Sequence, residues 1–367
     1  MNITTINIPS YINKIVAIFP EDCELNLVGG CVRDSFLGLE PKDYDLVTNL
    51  QPDQIESLLK ANNIPCDSIG KAFGIIFATI EGYCVEIATY RQDIDGYRQT
   101  RVEFSDRKGD ASRRDFTINQ IYFDLKTKEF IDQFGGVKDL NHKILRCVGS
   151  ASKRFKEDQL RVYRAYRFAN KYDLAFDAEL KEAIENINFS FISRERITNE
   201  LQKTFDKAGK IPFGNSVMQP IFDFIYDEKI AYNSGQNEDP FIDFILNLND
   251  DVPVEKMKEY RFDRDFALIC ETIKNICLNN KTYIAKIIAQ RTKNISKRNR
   301  NLLERFVQNK QFEETNPKEK KIIEDFLSFN PRIMDGTKLQ EFGLFGKQIG
   351  EAIQSDIISK WEVHHGN

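Results

Sequence analysis

Up to about residue 140 the chain alternates short β-type runs with helical ones, and beyond it the strand signal nearly vanishes. "LNLVGG", "DYDLV", "FGIIFATI", "YCVEIATYR" and "EFIDQF" read as strands, with "IESLLKANN" as a helix between them. From "SASKRFKEDQLRVYRAYRFANKY" onward, apolar residues recur at the spacing of helices that bury one face. This pattern predicts an α+β chain, a mixed α/β unit followed by an all-helical remainder. The polar, turn-rich "NSGQNEDP" at 233–240 is expected to mark an internal boundary.

With 367 residues the chain has room for two or three domains, each with a buried core. Its formal charge of −4 argues against a protein that coats nucleic acid over its whole surface, while leaving local basic patches open. Cys23, Cys31, Cys66, Cys84, Cys147, Cys270 and Cys277 are scattered and never form CxxC, so reduced thiols in a cytoplasm are expected. The longest apolar run near the N-terminus, "IVAIF", is far too short to span a membrane. Three histidines, His142, His364 and His365, are too few for histidine-rich metal hydrolysis.

In "LVGGCVRDSFLGLEPKDYDLV", residues 27–47, a strand runs into Gly29-Gly30 and then a helical stretch. Such a turn exposes backbone N–H groups to an anion, and Arg33, one turn in, adds charge for a phosphate. Gly-Gly alone is more often a plain turn. Asp43 and Asp45, two residues apart in a β-type run, point to one face. Carboxylates that close repel unless a cation joins them, and oxygen ligands of this kind suit Mg²⁺, which keeps waters and substrate phosphates in its shell. A lone Asp-x-Asp is usually a solvated strand end; beside a phosphate-binding turn it describes a nucleotidyl-transfer centre. Glu86, in "VEIATYR", is a candidate third acid, with a solvent-facing strand residue as the competing reading.

Five segments now carry a resemblance. "LVGGCVRD…KDYDL", "RRDFTIN" at 113–119, "DQFGGVKDL" at 132–140, "EDQLRVYRAYRFA" at 157–169 and "SRERITNEL" at 193–201 stand in the order of five motifs. The chain thereby resembles the class II tRNA nucleotidyltransferases, the CCA-adding enzymes grouped with bacterial poly(A) polymerases. The resemblance covers about residues 25–205. It implies a nucleotidyltransferase head at 1–140, a helical neck that recognises the nucleobase at 141–215, a helical body at 216–290, and a tRNA-binding tail at 291–367. It also implies that Arg114, Asp115 and Asn119 meet the nucleotide sugar and phosphates. Taken alone, Asp115 would be read as a helix cap. Asp132 is expected to be structural, and the glycines after it a hinge between sheet and helices.

The "EDQLR" motif has a chemistry of its own. On a helix, Asp158 and Arg161 would share a face, and their bland reading is a surface ion pair. A carboxylate only accepts hydrogen bonds and a guanidinium only donates them. Cytosine and adenine both show an amino donor beside a ring acceptor, which matches such a pair. Uracil and guanine reverse that order and would leave buried groups unpaired. One Asp-Arg pair can thus accept C and A without a template, and the family uses this motif in that way. Arg164 and Arg167, farther along the helix, are expected near the triphosphate and the primer end.

Between 281 and 310 nine Lys/Arg stand against one acid, Glu304. In an acidic chain this reversal marks a candidate RNA surface carried by Lys286, Arg291, Lys293, Lys297, Arg298 and Arg300, with a solvated helix face as the rival. The expected partners are tRNA, CTP and ATP, with no membrane and no obligatory protein partner, and the expected cofactor is Mg²⁺. Addition of C, C and A to tRNA is the reading to test. A CC-adding specialist stays open because the segment from Arg91 to Arg114 is slightly short against that of complete CCA-adding members. An A-adding enzyme, a poly(A) polymerase and a catalytically silent RNA-binding protein also stay open.

Overall fold

The computed structural model describes residues 6–93, 102–189, 192–226, 231–285, 297–329 and 335–366. The chain divides into two compact units, Met1–Ile192 and Ser193–Asn367. The first opens with α1 (Ser10–Ile18), β1 (Leu25–Val28), α2 (Gly30–Phe36), β2 (Leu46–Thr48) and α3 (Pro52–Ala61). It continues through β3 (Cys66–Asp67), β4 (Ile75–Ile80), β5 (Tyr83–Thr89), β6 (Arg91–Asp93), β7 (Val102–Phe104) and α4 (Arg107–Ser112). Next come β8 (Tyr122–Asp124), β9 (Phe130–Ile131), α5 (Gly136–Asn141) and β10 (Ile144–Leu145). The unit ends with α6 (Ala151–Glu157), α7 (Leu160–Tyr172), β11 (Ala175–Phe176) and α8 (Ala178–Glu185).

Seven of these strands form one mixed sheet in the order β3-β4-β5-β2-β1-β8-β9. β1, in its interior, is buried at all four residues, as a strand covered on both faces should be. β4 and β5 alternate instead, with Ile76, Ala78 and Ile80 on one strand and Val85, Ile87 and Thr89 on the other turned inward. They are joined by Glu81-Gly82, both at positive φ (52° and 83°), the two-residue turn whose twist suits a hairpin. β2 pairs antiparallel with β1 and parallel with β5. α3 starts on Pro52 behind a Gln51/Gln54 capping box and buries Ile55 and Leu59.

The "DQFGG" segment is a latch. The Asp132 carboxylate accepts from Gln120 Nε2 at 2.5 Å and from the Gly136 and Val137 amides at 2.9 Å each. It thereby satisfies N–H groups of the first turn of α5 that no helix carbonyl can reach. Gly136 is small because a Cβ there would lie 2.1 Å from the Thr117 carbonyl oxygen. Of the two glycines expected as a hinge, Gly136 therefore has a packing reason and Gly135 a conformational one, its positive φ of 76°.

The second unit is helical among its described residues. "SRERITNEL" begins it as a helix, Arg194–Phe205, capped by Ser193. Phe205 packs against Phe213, Phe241, Phe244 and Phe266, with centroids 5.2–6.1 Å apart. The segment 233–240 lies inside this unit, where Asn237 and Asp239 are buried and hydrogen bonded. Cys270 is buried in the helix Arg264–Cys277. Among the described residues no helix is long and apolar enough to cross a membrane.

Gly135→Ala and Gly136→Ala should separate strain from collision. The first, at φ 76° with open space around it, should cost about 1–2 kcal/mol. The second must move the Thr117 backbone and should cost more in urea unfolding; equal losses would contradict the packing described.

Candidate active site

The Val28 amide donates to the Asp45 carbonyl at 3.1 Å, which lays the segment bearing the two aspartates along the end of β1. Both aspartates had been expected inside a strand. β2 begins only at Leu46, where the chain first pairs on both sides, with Leu27 and with Ile87. Asp43 and Asp45 precede it in the connection, Asp43 exposed and Asp45 half-buried. Because β2 and β5 run parallel with Leu46 opposite Ile87, Asp45 comes level with Glu86.

Their electrostatics follow from that placement. Burial raises the Glu86 carboxyl above its ordinary range, and the charge of Asp45 raises it further. Burial also raises Asp45; Arg114 acts against this and Asp43 adds to it. Burial and the neighbouring Asp45 push the Cys31 thiol up to about 12, so it is an inert packing group. Partly desolvated carboxylates that oppose one another's ionisation are a donor set suited to a divalent cation. Among the described residues no group of three or more His, Cys, Asp or Glu is arranged to hold a metal ion by itself.

Gly29 caps α2 at φ 75°, a backbone state that L side chains rarely adopt. A Cβ on it would lie 3.7 Å from Arg114 Nη1, so this turn and this guanidinium face each other. Gly30 is the first residue of α2. Arg33, expected to offer charge to phosphate, instead turns inward and is 5% exposed. It donates to Asn119 Oδ1, to Asp34 Oδ1 at 2.8 Å and to Tyr172 Oη at 2.5 Å. Its guanidinium carbon also lies 5.1 Å and 4.5 Å from the centroids of the Phe168 and Tyr172 rings. The aromatic face of α7 claims it.

The residues of "RRDFTIN" serve two carboxylates. Arg114 donates from Nη2 to Asp110 Oδ2 at 2.8 Å, and Arg113 from Nη2 to Asp110 Oδ1 at 2.6 Å. Asp115 Oδ1 accepts from the Phe116 amide and from Asn119 Nδ2, both at 2.9 Å, and Oδ2 accepts from Arg164 Nε at 2.8 Å. Burial works against the charge on Asp115, but Arg164 and these hydrogen bonds win and hold its pKa down at about 2. Asn119 therefore joins Arg33 to Asp115, and Asp115 joins it to Arg164. The helix-cap reading of Asp115 gives way to a buried polar junction.

The helix read through "EDQLR" breaks. Asp158 takes extended angles (φ −154°, ψ 104°) after α6. Its Oδ1 accepts from the Leu160 amide at 3.1 Å and its carbonyl from the Arg161 amide at 3.1 Å. An aspartate whose side chain folds forward onto the amide two residues ahead, just before α7 begins at its N-cap Gln159, cannot also continue the previous helix. Arg161 donates from Nη1 to Glu157 Oε2 at 2.7 Å and from Nη2 to the Arg113 carbonyl at 2.9 Å. Arg167 stacks on Phe168 at 4.3 Å. Asp110, Glu157 and Tyr172 escaped the sequence reading, although Asp110 stands three and four residues before Arg113 and Arg114, and Glu157 four before Arg161.

Of the expected RNA surface, Lys286, Arg291 and Lys293 lie outside the described residues. Lys297 and Arg298 open the helix Lys297–Val307, and exposed Arg300 on it pairs with Glu304 at 3.1 Å.

Comparison with known proteins bears on this geometry. Residues 25–146 match the poly(A) polymerase head domain. The chain is 37% identical over 182 residues to the CCA-adding enzyme of Bacillus subtilis, a match covering 48% of this chain and 45% of that one. It is 34% identical over 178 residues to poly(A) polymerase I of Salmonella typhi, covering 45% and 37%. It thus spans less than half the length of these curated relatives. In fold it is similar to the crystal structure of the Bacillus stearothermophilus CCA-adding enzyme in complex with CTP, with TM-score 0.60 and 20% identity over 98% of this chain and 94% of that one.

The raised carboxyls have a sign that calorimetry can read. A carboxyl whose folded pKa is raised weighs against the fold increasingly as pH rises through that value. In chelator at neutral pH, Asp45→Asn and Glu86→Gln should each raise Tm, with the gain fading below about pH 4, where the unfolded carboxyls are also protonated. Unchanged or lower Tm at neutral pH would contradict the mutual repulsion.

Proposed function

From the match of residues 25–146 to the poly(A) polymerase head domain, we propose that the chain is a CCA tRNA nucleotidyltransferase. It adds C, C and A to the 3′ end of tRNA from CTP and ATP, and releases pyrophosphate. The observation that carries this reading is the parallel register that brings Asp45, two residues after Asp43, level with Glu86, together with the Gly29 turn that faces Arg114. The named relatives add CCA or synthesise poly(A), which supports the same chemistry. The seven cysteines, all free, suit a cytoplasmic location.

In this mechanism the backbone at Gly29-Gly30 and the Arg114 guanidinium hold the triphosphate. Asp43 and Asp45, with Glu86 beside them, would hold Mg²⁺, which when bound supplies charge neutralisation and acidifies the attacking hydroxyl. The 3′-hydroxyl of the RNA attacks the α-phosphorus in line, and pyrophosphate departs on the opposite side. Asp115 and Asn119 offer acceptors and an amide to the sugar. Asp158, whose side chain stands at the helix break, and Arg161, steadied by Glu157, read the base edge. The division into head, neck, body and tail at 1–140, 141–215, 216–290 and 291–367 belongs to the same proposal, as does a tRNA surface that includes Arg300.

Labelled CTP and ATP offered with tRNA transcripts lacking one, two or three 3′ nucleotides test it. Incorporation of C, C and then A is expected. C alone, A alone or long A tails would assign a CC-adding enzyme, an A-adding enzyme or a poly(A) polymerase, and no incorporation with tight tRNA binding would assign a silent binder. Asp43→Ala should abolish transfer while tRNA affinity, by filter binding, stays within about twofold; retained turnover would remove the metal assignment. Asp158→Ala should let UTP or GTP compete, with selectivity falling about tenfold or more; unchanged selectivity at wild-type rate would refute the pairing argument.

A further inference from the structure

Resting on that reading, we infer that Asp110 is a positioning residue that holds Arg114 back from the metal-binding carboxylates and aims it at the nucleotide's phosphates. Asp110 is completely buried, at 0% exposure, and its two oxygens are saturated. Oδ1 accepts from Arg113 Nε at 2.9 Å and Nη2 at 2.6 Å. Oδ2 accepts from Arg114 Nη2 at 2.8 Å and Nε at 3.2 Å, and from Tyr122 Oη at 2.7 Å. One carboxylate therefore fixes two guanidiniums in forked geometry.

The fork leaves Arg114 with one free end. Its Nε and Nη2 edge is spent on Asp110, and the plane is steadied over the Tyr122 ring at 5.4 Å. Nη1 makes only a long contact of 3.5 Å to the Asn119 carbonyl and points at the Gly29 turn. That is where the proposed triphosphate lies. The Val28 amide, beside the Gly29 turn that Arg114 faces, donates to the Asp45 carbonyl at 3.1 Å, and the parallel register of β2 and β5 sets Glu86 level with Asp45. Released from Asp110, a guanidinium in this position has two carboxylates to pair with, and pairing would place a fixed cation where the divalent one must bind. Asp110 supplies the competing charge that prevents this.

A purely structural ion pair would not move metal affinity in a reversible way, and that separates the two roles. Mn²⁺ binding to the full chain, followed by electron paramagnetic resonance without nucleotide, and CTP binding by calorimetry should be measured on wild type, Asp110→Asn, Arg114→Met and the double variant. Asp110→Asn should bind Mn²⁺ about tenfold more weakly or worse, the scale of a lost charge-assisted bond. Arg114→Met should bind Mn²⁺ as tightly as wild type yet lose about tenfold or more in CTP affinity. The double variant should recover most of the Mn²⁺ binding, because of the two guanidiniums that Asp110 holds only Arg113 remains, and Arg113 still donates to the Arg91 carbonyl at 2.9 Å. Wild-type Mn²⁺ affinity in folded Asp110→Asn, or a double variant as weak as Asp110→Asn, would overturn the inference. If Asp110→Asn does not fold, Arg114→Met decides, since unchanged CTP affinity overturns the aim assigned to Arg114. A wild-type chain that binds neither Mn²⁺ nor CTP would instead sink the proposed function itself.

Discussion

The parallel pairing of β2 with β5 forces Asp45 and Glu86 to the same level of the sheet, with Asp43 two residues before. Burial and like charge make ionisation of Asp45 and Glu86 unfavourable there, and the protein offsets only part of this through Arg114. A fold selected for stability alone would place neutral side chains at that level of the sheet. On the proposed reading this local instability would give the site its affinity for a cation, because binding would relieve the repulsion that weakens the fold.

The motifs, scattered along the sequence, meet in two buried polar junctions. One is Asp110 with Arg113, Arg114 and Tyr122. The other runs from Asp34 and Tyr172 through Arg33 and Asn119 to Asp115 and Arg164. Arg161, through its bond to the Arg113 carbonyl, ties α7 to the first junction. Buried charges of this kind cost desolvation unless fully paired, so each junction tolerates few alternatives and orients its outward-facing donors closely.

Periodicity and turn chemistry made the head legible. The strands β1, β4 and β5, the capped helix α3 and the shift to helices all follow from local patterns in the first 170 residues or so. What was not legible depended on tertiary partners. Asp43 and Asp45 look like strand residues because their neighbours are apolar, yet strand pairing starts one residue later, where both flanking strands are present. Asp158 sits in a run of helical spacing, but its own side chain turns forward to accept from the Leu160 amide and breaks the helix there. Arg33 carries a charge that sequence alone turns toward phosphate, and only the packing of α7 shows it facing Phe168 and Tyr172. Asp110 escaped notice because its complete burial, within α4, is a property of the folded unit and not of the local sequence.

A crystal of the full chain grown with CTP and Mg²⁺ tests the central claim most directly. The account predicts triphosphate density against the Gly29-Gly30 backbone and Arg114, divalent ions on Asp43 and Asp45, and the cytosine edge within hydrogen-bond reach of Asp158 and Arg161. A triphosphate bound away from those aspartates, or a pyrimidine out of reach of that pair, would contradict it.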